Sequence, residues 1–196
     1  MHIAFIGRGP VATNLSQLAR AAGHTAVTTG RDSDPGFADA VAGADLAVLA
    51  VPFRVHETLL PELHPALEGK TLIDATNPLN EHWSPIVLPD GISGAETLAR
   101  ALPGTAVVKA FNTVFADIMN ADDLDRAGAR ATTFVAGNDA DAVDTVCALA
   151  SDMGFDPVSC GPLSAARYLE GLAHLNIGIA VGQGGGTKAA ILYHQG

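Results

Sequence analysis

The sequence predicts an α/β fold in which helices cover both faces of an open, mostly parallel β-sheet. Over residues 1–160, short continuous apolar runs alternate with longer amphipathic stretches, which is the pattern of parallel strands buried between helices. The first apolar run leads without a spacer into a glycine-rich turn. Beyond residue 160 only helical patterns follow. We therefore expect a main unit over residues 1–160 and a small helical segment over residues 161–196.

The glycine-rich turn is the most informative motif of the chain. His2–Ile6 is a predicted strand, and Gly7-Arg8-Gly9-Pro10-Val11-Ala12 follows it directly. In a dinucleotide-binding loop, the first glycine permits a sharp turn, the second lets backbone approach a pyrophosphate, and a small third residue lets the helix pack on the sheet. Proline suits the first helical position, and the N–H groups that follow face the phosphate. A turn that only joins two elements is the alternative, but the strand and helix around it favour a Rossmann-type, doubly wound sheet.

The end of the second predicted strand, residues 25–29, discriminates between NAD and NADP. In this fold an acidic residue there binds the ribose 2′-OH of NAD, whereas an arginine accommodates the 2′-phosphate of NADP. Thr29, Gly30 and Arg31 occupy the position, and Asp32 comes slightly late. Because arginine binds phosphate in a bidentate geometry, we favour NADP(H). The alternative is that Arg31 and Asp32 form only a solvated turn.

Three further predicted strands end in residues that we expect at the same ligand-binding edge. They cover residues 45–51, 71–75 and 105–111, and the carboxyl ends of parallel strands meet at the crevice where ligands bind. A helix, interrupted or bent at Pro61, follows the first of them. The candidate cofactor-binding residues at these strand ends are Ala50, Val51, Pro52, Phe53, Asn77, Pro78, Ala110, Phe111 and Asn112.

Lys109 and Asn112 are the candidate catalytic residues, although neither is assigned with certainty. A lysine near the mouth of a buried strand needs a partner, because a lone buried charge is costly. It either contacts the ligand or pairs with a carboxylate such as Asp74, and the sequence leaves both open. The Asn112 side chain can both donate and accept hydrogen bonds.

The rest of the chain completes the sheet and adds the helical segment. Residues 131–137 and 156–158 are predicted strands, with a helix over 140–153 between them. Residues 80–93 form a long loop with the only tryptophan, Trp83. An apolar helix over 165–181 is expected to pack against a second subunit. Gly184–Gly186, either a connector or a ligand-lining stretch, precedes a predicted helix over 187–194.

Composition excludes several classes of partner. The chain has 196 residues, a net charge of −10 and no Lys/Arg cluster, which argues against nucleic acid and anionic membranes. Cys147 and Cys160 lack the spacing of a metal site and indicate thiols in a reducing compartment. No basic leader precedes the first strand, and the longest apolar segment is too short to span a bilayer. We expect a cytoplasmic protein without a metal.

Several of these motifs together resemble the NADP oxidoreductases that work with the deazaflavin coenzyme F420. The resemblance covers almost the whole chain, and its most specific part is Lys109-Ala110-Phe111-Asn112-Thr113. The chain is also similar to the cytosolic domain of the STEAP ferric reductases. The other segments that resemble the F420-dependent family are Gly7–Ala12, Gly30-Arg31, Val51–Phe53, Asp74–Pro78 and Gly161–Ser164.

The resemblance implies an NADP-dependent oxidoreductase that acts on a small redox partner. It implies direct hydride transfer between stacked rings, a C-terminal helical part that supports a homodimer, and no essential side-chain acid or base. F420 is the leading acceptor, FMN or FAD or flavin-mediated ferric reduction comes second, and a small imine or carbonyl comes third. The third would need a proton donor, with Lys109, His82 and Tyr168 as candidates. A nonenzymatic NADPH sensor is the rival from another class.

Overall fold

The computed structural model describes residues 1–126 and 128–195 and contains nine strands and seven α-helices in that range. The strands are β1 (His2–Ile6), β2 (Thr25–Thr29), β3 (Leu46–Leu49), β4 (Thr71–Asp74), β5 (Ala106–Lys109), β6 (Asp125–Arg126), β7 (Ala129–Arg130), β8 (Thr132–Gly137) and β9 (Asp156–Ser159). The helices are α1 (Pro10–Ala21), α2 (Phe37–Ala42), α3 (His56–Leu67), α4 (Gly94–Ala101), α5 (Ala121–Leu124), α6 (Ala140–Asp152) and α7 (Ala166–Ile177). A π-helical turn, Gly178–Gly182, extends α7.

Seven of the strands form one sheet in the order β2-β1-β3-β4-β5-β8-β9. All neighbours pair in parallel except β5 and β8. Ile3 of β1 lies opposite Ala26 on one side and Leu46 on the other. The chain therefore leaves β1 toward β2 and returns to add β3 on the opposite side, which creates a topological switch point between β1 and β3. The predicted doubly wound, mostly parallel sheet is confirmed.

The sheet separates two hydrophobic clusters, one on each face. Ile3 and Phe5 of β1 point into the first cluster, with residues of α1 and α6. Ala4 and Ile6 point into the second, with residues of α2, α3 and α4. Because alternate side chains of a strand point to opposite faces, a strand covered on both sides must be apolar at every position. This requirement explains the continuous apolar runs of the sequence.

The structure differs from the predicted elements in several places, among them α2, α3 and the last residues. Helix α2 was not predicted, since its six residues are too few to establish a helical period. Helix α3 continues through both Pro61 and Pro65 without an interruption. The helix predicted over residues 187–194 does not form. Instead, the Ile191 carbonyl accepts from the Thr132 N–H at 2.9 Å and the Tyr193 N–H donates to Thr132 Oγ1 at 2.9 Å, so this segment pairs with the start of β8.

Within the described ranges, no helix is long and apolar enough to cross a membrane.

Candidate functional site

A continuous cleft follows the carboxyl edge of the sheet from β1 to β5, and we call it the carboxyl-edge cleft. Its outer part, of about 360 Å³, lies beside the glycine loop and the ends of β3 and β4. Its inner part, of about 140 Å³, lies beside the end of β5 and one face of α7. Residues that line both parts make the two continuous: Val11, Ala75, Asn77, Leu79 and Trp83. The cleft thus starts at the switch point, where doubly wound sheets bind ligands.

Gly7 turns the chain from β1 toward α1 in a way that only glycine permits. Its φ is +133°, a region that other residues rarely adopt. A Cβ at this position would lie 2.5 Å from the Ala50 carbonyl oxygen, whereas a Cβ on Gly9 would meet nothing within 4 Å. Gly9 precedes Pro10 at the start of α1 and offers no capping side chain to the N–H groups of Val11 and Ala12. The free helix end beside open space fits the phosphates of a dinucleotide.

Arg8 belongs to the glycine loop, and its side chain lies beside Gly30, the residue before Arg31. A Cβ at Gly30 would lie 2.5 Å from Cδ of Arg8, so the Arg8 side chain crosses this residue. The Gly30 N–H donates to Ser33 Oγ at 2.8 Å, and Thr29 Oγ1 donates to the Pro35 carbonyl oxygen at 2.9 Å. These bonds order the turn after β2, while Arg8 and Arg31 remain exposed. Two accessible guanidinium groups fit a phosphate better than a ribose hydroxyl.

The residues after β3 form one wall of the cleft. Ala50, Val51, Pro52 and Phe53 all line its outer part. Phe53 starts a short 3₁₀ turn that leads into α3, and its ring lies 4.9 Å from that of His56, measured between centroids. The parallel pairing of β1 with β3 brings this wall to Gly7 and Pro10 although more than forty residues separate them in sequence.

Asn77 and Asn112 meet in the cleft and brace each other. Nδ2 of Asn112 donates to Asn77 Oδ1 at 2.9 Å, and Nδ2 of Asn77 donates to the Asn112 carbonyl oxygen at 2.8 Å. Asn112 Nδ2 also donates to the Leu169 carbonyl oxygen at 3.1 Å. Within the described residues, the buried Oδ1 of Asn112 has no hydrogen-bond partner. Since buried acceptors are nearly always paired, this atom fits a ligand donor such as a carboxamide N–H.

Lys109 does not line the cleft, and its ammonium group is held in a buried ion cluster. Its side chain is fully buried, and Nζ donates to Asp74 Oδ2 at 2.8 Å, to Glu170 Oε1 at 2.9 Å and to the Thr76 carbonyl oxygen at 2.6 Å. Burial alone would lower the pKa of Lys109, but Asp74 and Glu170 together raise it above its usual value. All three ammonium protons are thus used, and of the two roles left open by the sequence the structure contains the ion pair with Asp74.

At the ends of β4 and β5, three of the predicted cofactor-binding residues have side chains that pack mainly in the core. Ala110 is fully buried in the core, and Pro78 is buried outside the lining of the cleft. Phe111 has a φ of +63° and contributes to the lining of the inner part, but its ring packs against Phe155 at 5.3 Å between centroids. The Phe111 N–H donates to Thr133 Oγ1 at 3.0 Å, which holds this turn. The turn is needed because it directs the next residue, Asn112, into the cleft.

Trp83, rather than the glycine run, covers the cleft. It lines both parts, is 59% exposed and has a φ of +63°. Asn80 orders the loop around it, because its Oδ1 accepts from the N–H groups of His82 and Ser84. Gly184–Gly186 reverses the chain, with the Gly186 N–H donating to the Ala180 carbonyl oxygen at 2.7 Å. The glycine run does not line the cleft and acts as a connector.

Helix α7 contributes residues that sequence reasoning missed. Ala173, Asn176 and Ile177 line the inner part of the cleft, and Asn176 Nδ2 donates to the Thr113 carbonyl oxygen at 3.2 Å. Glu170 is 5% exposed and lies on the buried face of the helix. An acidic residue on an otherwise apolar helix face was the signal in the sequence, since a carboxylate at such a position requires a buried partner.

Several known proteins are similar in sequence to much of this chain. A family profile described as NADP oxidoreductase, coenzyme F420-dependent, matches residues 35–78. The F420-dependent NADP reductase of Methanothermobacter marburgensis is 34% identical over 156 residues, which cover 74% of this chain and 66% of that protein. Metalloreductase STEAP3 of Rattus norvegicus is 36% identical over 134 residues, which cover 68% of this chain and 26% of that protein.

One solved structure matches the fold over its full length. A candidate F420-dependent NADP reductase from Arthrobacter sp. FB24 aligns with a TM-score of 0.85 and 28% identity, covering 98% of this chain and 99% of that one. Among the curated relatives, the chain spans about a quarter of the length of the metalloreductase and slightly less than two thirds of the archaeal reductase. The resemblance to the F420-dependent NADP reductases and to the STEAP metalloreductases, which the sequence motifs indicated, is therefore confirmed.

Proposed function

We propose that this protein transfers hydride between NADPH and a deazaflavin or flavin-type acceptor in the carboxyl-edge cleft. The observation that carries the proposal is the continuity of the cleft. It starts at the glycine loop and ends beside α7 and Asn112, whose buried Oδ1 has no partner among the described residues. Arg8 of that loop and Arg31 are both exposed. One nicotinamide cofactor and one neighbouring ring account for both parts of it.

In this proposal each part of NADPH has its own set of residues. The N–H groups of Val11 and Ala12, at the positive end of α1, bind the pyrophosphate. Arg8 and Arg31 bind the 2′-phosphate through charge-assisted hydrogen bonds. Oδ1 of Asn112 accepts from the carboxamide and so fixes the orientation of the nicotinamide. The bound nicotinamide supplies the hydride, while the protein orients the ring and excludes water.

The acceptor binds beside the nicotinamide, between Trp83 and the face of α7 that carries Ala173 and Ile177. An aromatic side chain and aliphatic groups suit a planar ring, and hydride transfer needs the reacting atoms at about 3 to 3.5 Å. The names of the archaeal relatives favour F420 as the acceptor, and the metalloreductases favour a flavin or ferric reduction as the alternative.

Two other functions have less support. Reduction of an imine or carbonyl needs a proton donor, but Lys109 is fully paired and Tyr168 is 79% exposed outside the lining of the cleft. His82 is likewise exposed, with 79% of its side chain accessible. An NADPH sensor would need the same cleft for binding but would oxidise no acceptor.

The test offers NADPH with F420, FMN, FAD and ferric citrate in parallel and follows the absorbance of NADPH. We expect turnover with F420 or with a flavin and none with ferric citrate alone. Trp83 is the only tryptophan of the chain and lines the cleft, so quenching of its fluorescence reports NADPH binding independently. Stoichiometric binding without oxidation in any arm would contradict the proposal and favour the sensor.

A further inference from the structure

Glu170 connects three elements that meet behind the inner part of the cleft. It lies on α7 and is 5% exposed. Its Oε2 accepts from the Gly94 N–H at 3.0 Å, and its Oε1 accepts from the Ala95 N–H at 3.3 Å and from Lys109 Nζ at 2.9 Å. The first two contacts place a carboxylate at the positive end of α4, and the third ties it to the end of β5. Glu170 therefore anchors α7 to both α4 and the sheet.

The residue before Glu170 controls the side chain of Asn112. The Leu169 carbonyl oxygen accepts from Asn112 Nδ2 at 3.1 Å, and the same Nδ2 donates to Asn77 Oδ1 at 2.9 Å. These two bonds use both amide protons of Asn112 and leave its Oδ1 as the free acceptor. A small displacement of α7 would move the Leu169 carbonyl and allow the Asn112 amide to rotate. The direction in which Oδ1 points thus depends on the position of α7.

We propose that Glu170 is a positioning residue for the nicotinamide end of the cleft, because it holds α7 where the Leu169 carbonyl orients Asn112. This inference rests on the proposed function, since it gives Asn112 Oδ1 the nicotinamide carboxamide as its partner. Glu170 itself does not line the cleft. It acts through Leu169 and Asn112 only.

A second link between α4 and α7 provides a matched control. Arg167 donates to both carboxylate oxygens of Glu96, at 2.8 and 2.7 Å, and 45% of the Arg167 side chain is exposed. Glu96 belongs to the capping box of α4 with Ser93. This ion pair joins the same two helices as Glu170 does, but it makes no bond to Lys109 or Asn112. Arg167→Met therefore removes an ion pair between α4 and α7 that has no connection to Asn112.

The experiment compares Glu170→Ala, Glu170→Gln and Arg167→Met at a temperature where each variant is folded. Three quantities are measured: hydrogen exchange of the Asn112 side-chain amide by NMR without ligand, NADPH affinity by Trp83 fluorescence, and the single-turnover rate of NADPH oxidation by F420 or FMN. For Glu170→Ala we expect the side-chain amide of Asn112 to exchange at least about tenfold faster than in the parent. The NADPH affinity should stay within about threefold of the parent value, whereas the rate at saturating NADPH should fall at least about tenfold. The rate is affected more than the affinity because misplacing the reacting groups slows the transfer step without removing most of the binding contacts.

Glu170→Gln keeps the size of the side chain and one acceptor oxygen, so it should shift all readouts in the same direction but less. If Glu170→Ala does not fold, Glu170→Gln alone is used to test the role of Glu170. Arg167→Met should leave all three quantities near the parent values. The inference is overturned if amide exchange of Asn112 is unchanged in both Glu170 variants, or if Arg167→Met matches them. Failure of the parent to bind NADPH would refute the proposed function instead, while the exchange data would still decide the role of Glu170.

Discussion

Replacing Lys109 with methionine tests the buried ion cluster at the end of β5. Methionine has a similar length, so the packing of the stem is retained and the main loss is the charge. The structure leaves two carboxylates behind, because the Asp74 side chain is fully buried and that of Glu170 is 6% exposed. Breaking a buried pair by removing one partner costs about 3 to 5 kcal/mol. For a domain of this size, we expect the unfolding midpoint to fall by about 6 to 20 °C.

The stability that Lys109→Met loses relative to the parent should be larger at high pH than at low pH. Burial alone would raise the pKa of Asp74, but in the parent the charge of Lys109 holds it below its usual value. A carboxyl with a lowered pKa stabilises the fold above its unfolded pKa of about 4, and this stability is lost as the pH falls. Without Lys109 the pKa of Asp74 rises, so the folded variant takes up a proton and gains stability as the pH falls. The difference between parent and variant should therefore be largest at about pH 8 and smaller at about pH 5.

Urea unfolding followed by circular dichroism at both pH values measures the difference directly. Lys188→Met is the matched control, because Lys188 pairs with Asp123 at the surface and 69% of its side chain is exposed. We expect no measurable change of the midpoint for the control. Equal stability of Lys109→Met and the parent at the higher pH, or a difference that grows as the pH falls, would refute the assignment of this cluster.

Two further predictions concern the cofactor and the assembly. Arg31→Ala should weaken NADPH by about 1.5 to 3 kcal/mol, the range of hydrogen bonds to charged groups, and leave NADH nearly unchanged in fluorescence titrations; an equal loss for both cofactors would show that Arg31 does not bind the 2′-phosphate. Leu175 and Ile179 share one face of α7 and its extension and are 61% and 54% exposed, so we expect this face to be buried in a homodimer. Light scattering at micromolar concentration should report a dimer for the parent and a monomer for Ile179→Glu, and a monomeric parent would contradict the proposal.

Much of the fold was predictable because it depends on local chemistry. β1 and β2 have the predicted bounds, His2–Ile6 and Thr25–Thr29. A strand buried on both faces must be apolar throughout, and a sharp turn with positive φ requires glycine. Both features can therefore be recognised in the sequence. The parallel order of the strands then brings their carboxyl ends together, which is why Asn77 and Asn112 were expected at one edge before their contact was known.

Only the tertiary structure decided the partners of Lys109 and the shape of the last residues. The sequence required some partner for a buried lysine, but Glu170 lies 61 residues away and on a different element. The segment over 187–194 has a helical pattern, yet its backbone pairs with Thr132. The positive φ of Phe111 and the free Oδ1 of Asn112 likewise result from contacts that no local pattern encodes. Local chemistry determines which elements form, whereas burial and pairing between distant segments determine which polar atoms find a partner within the protein.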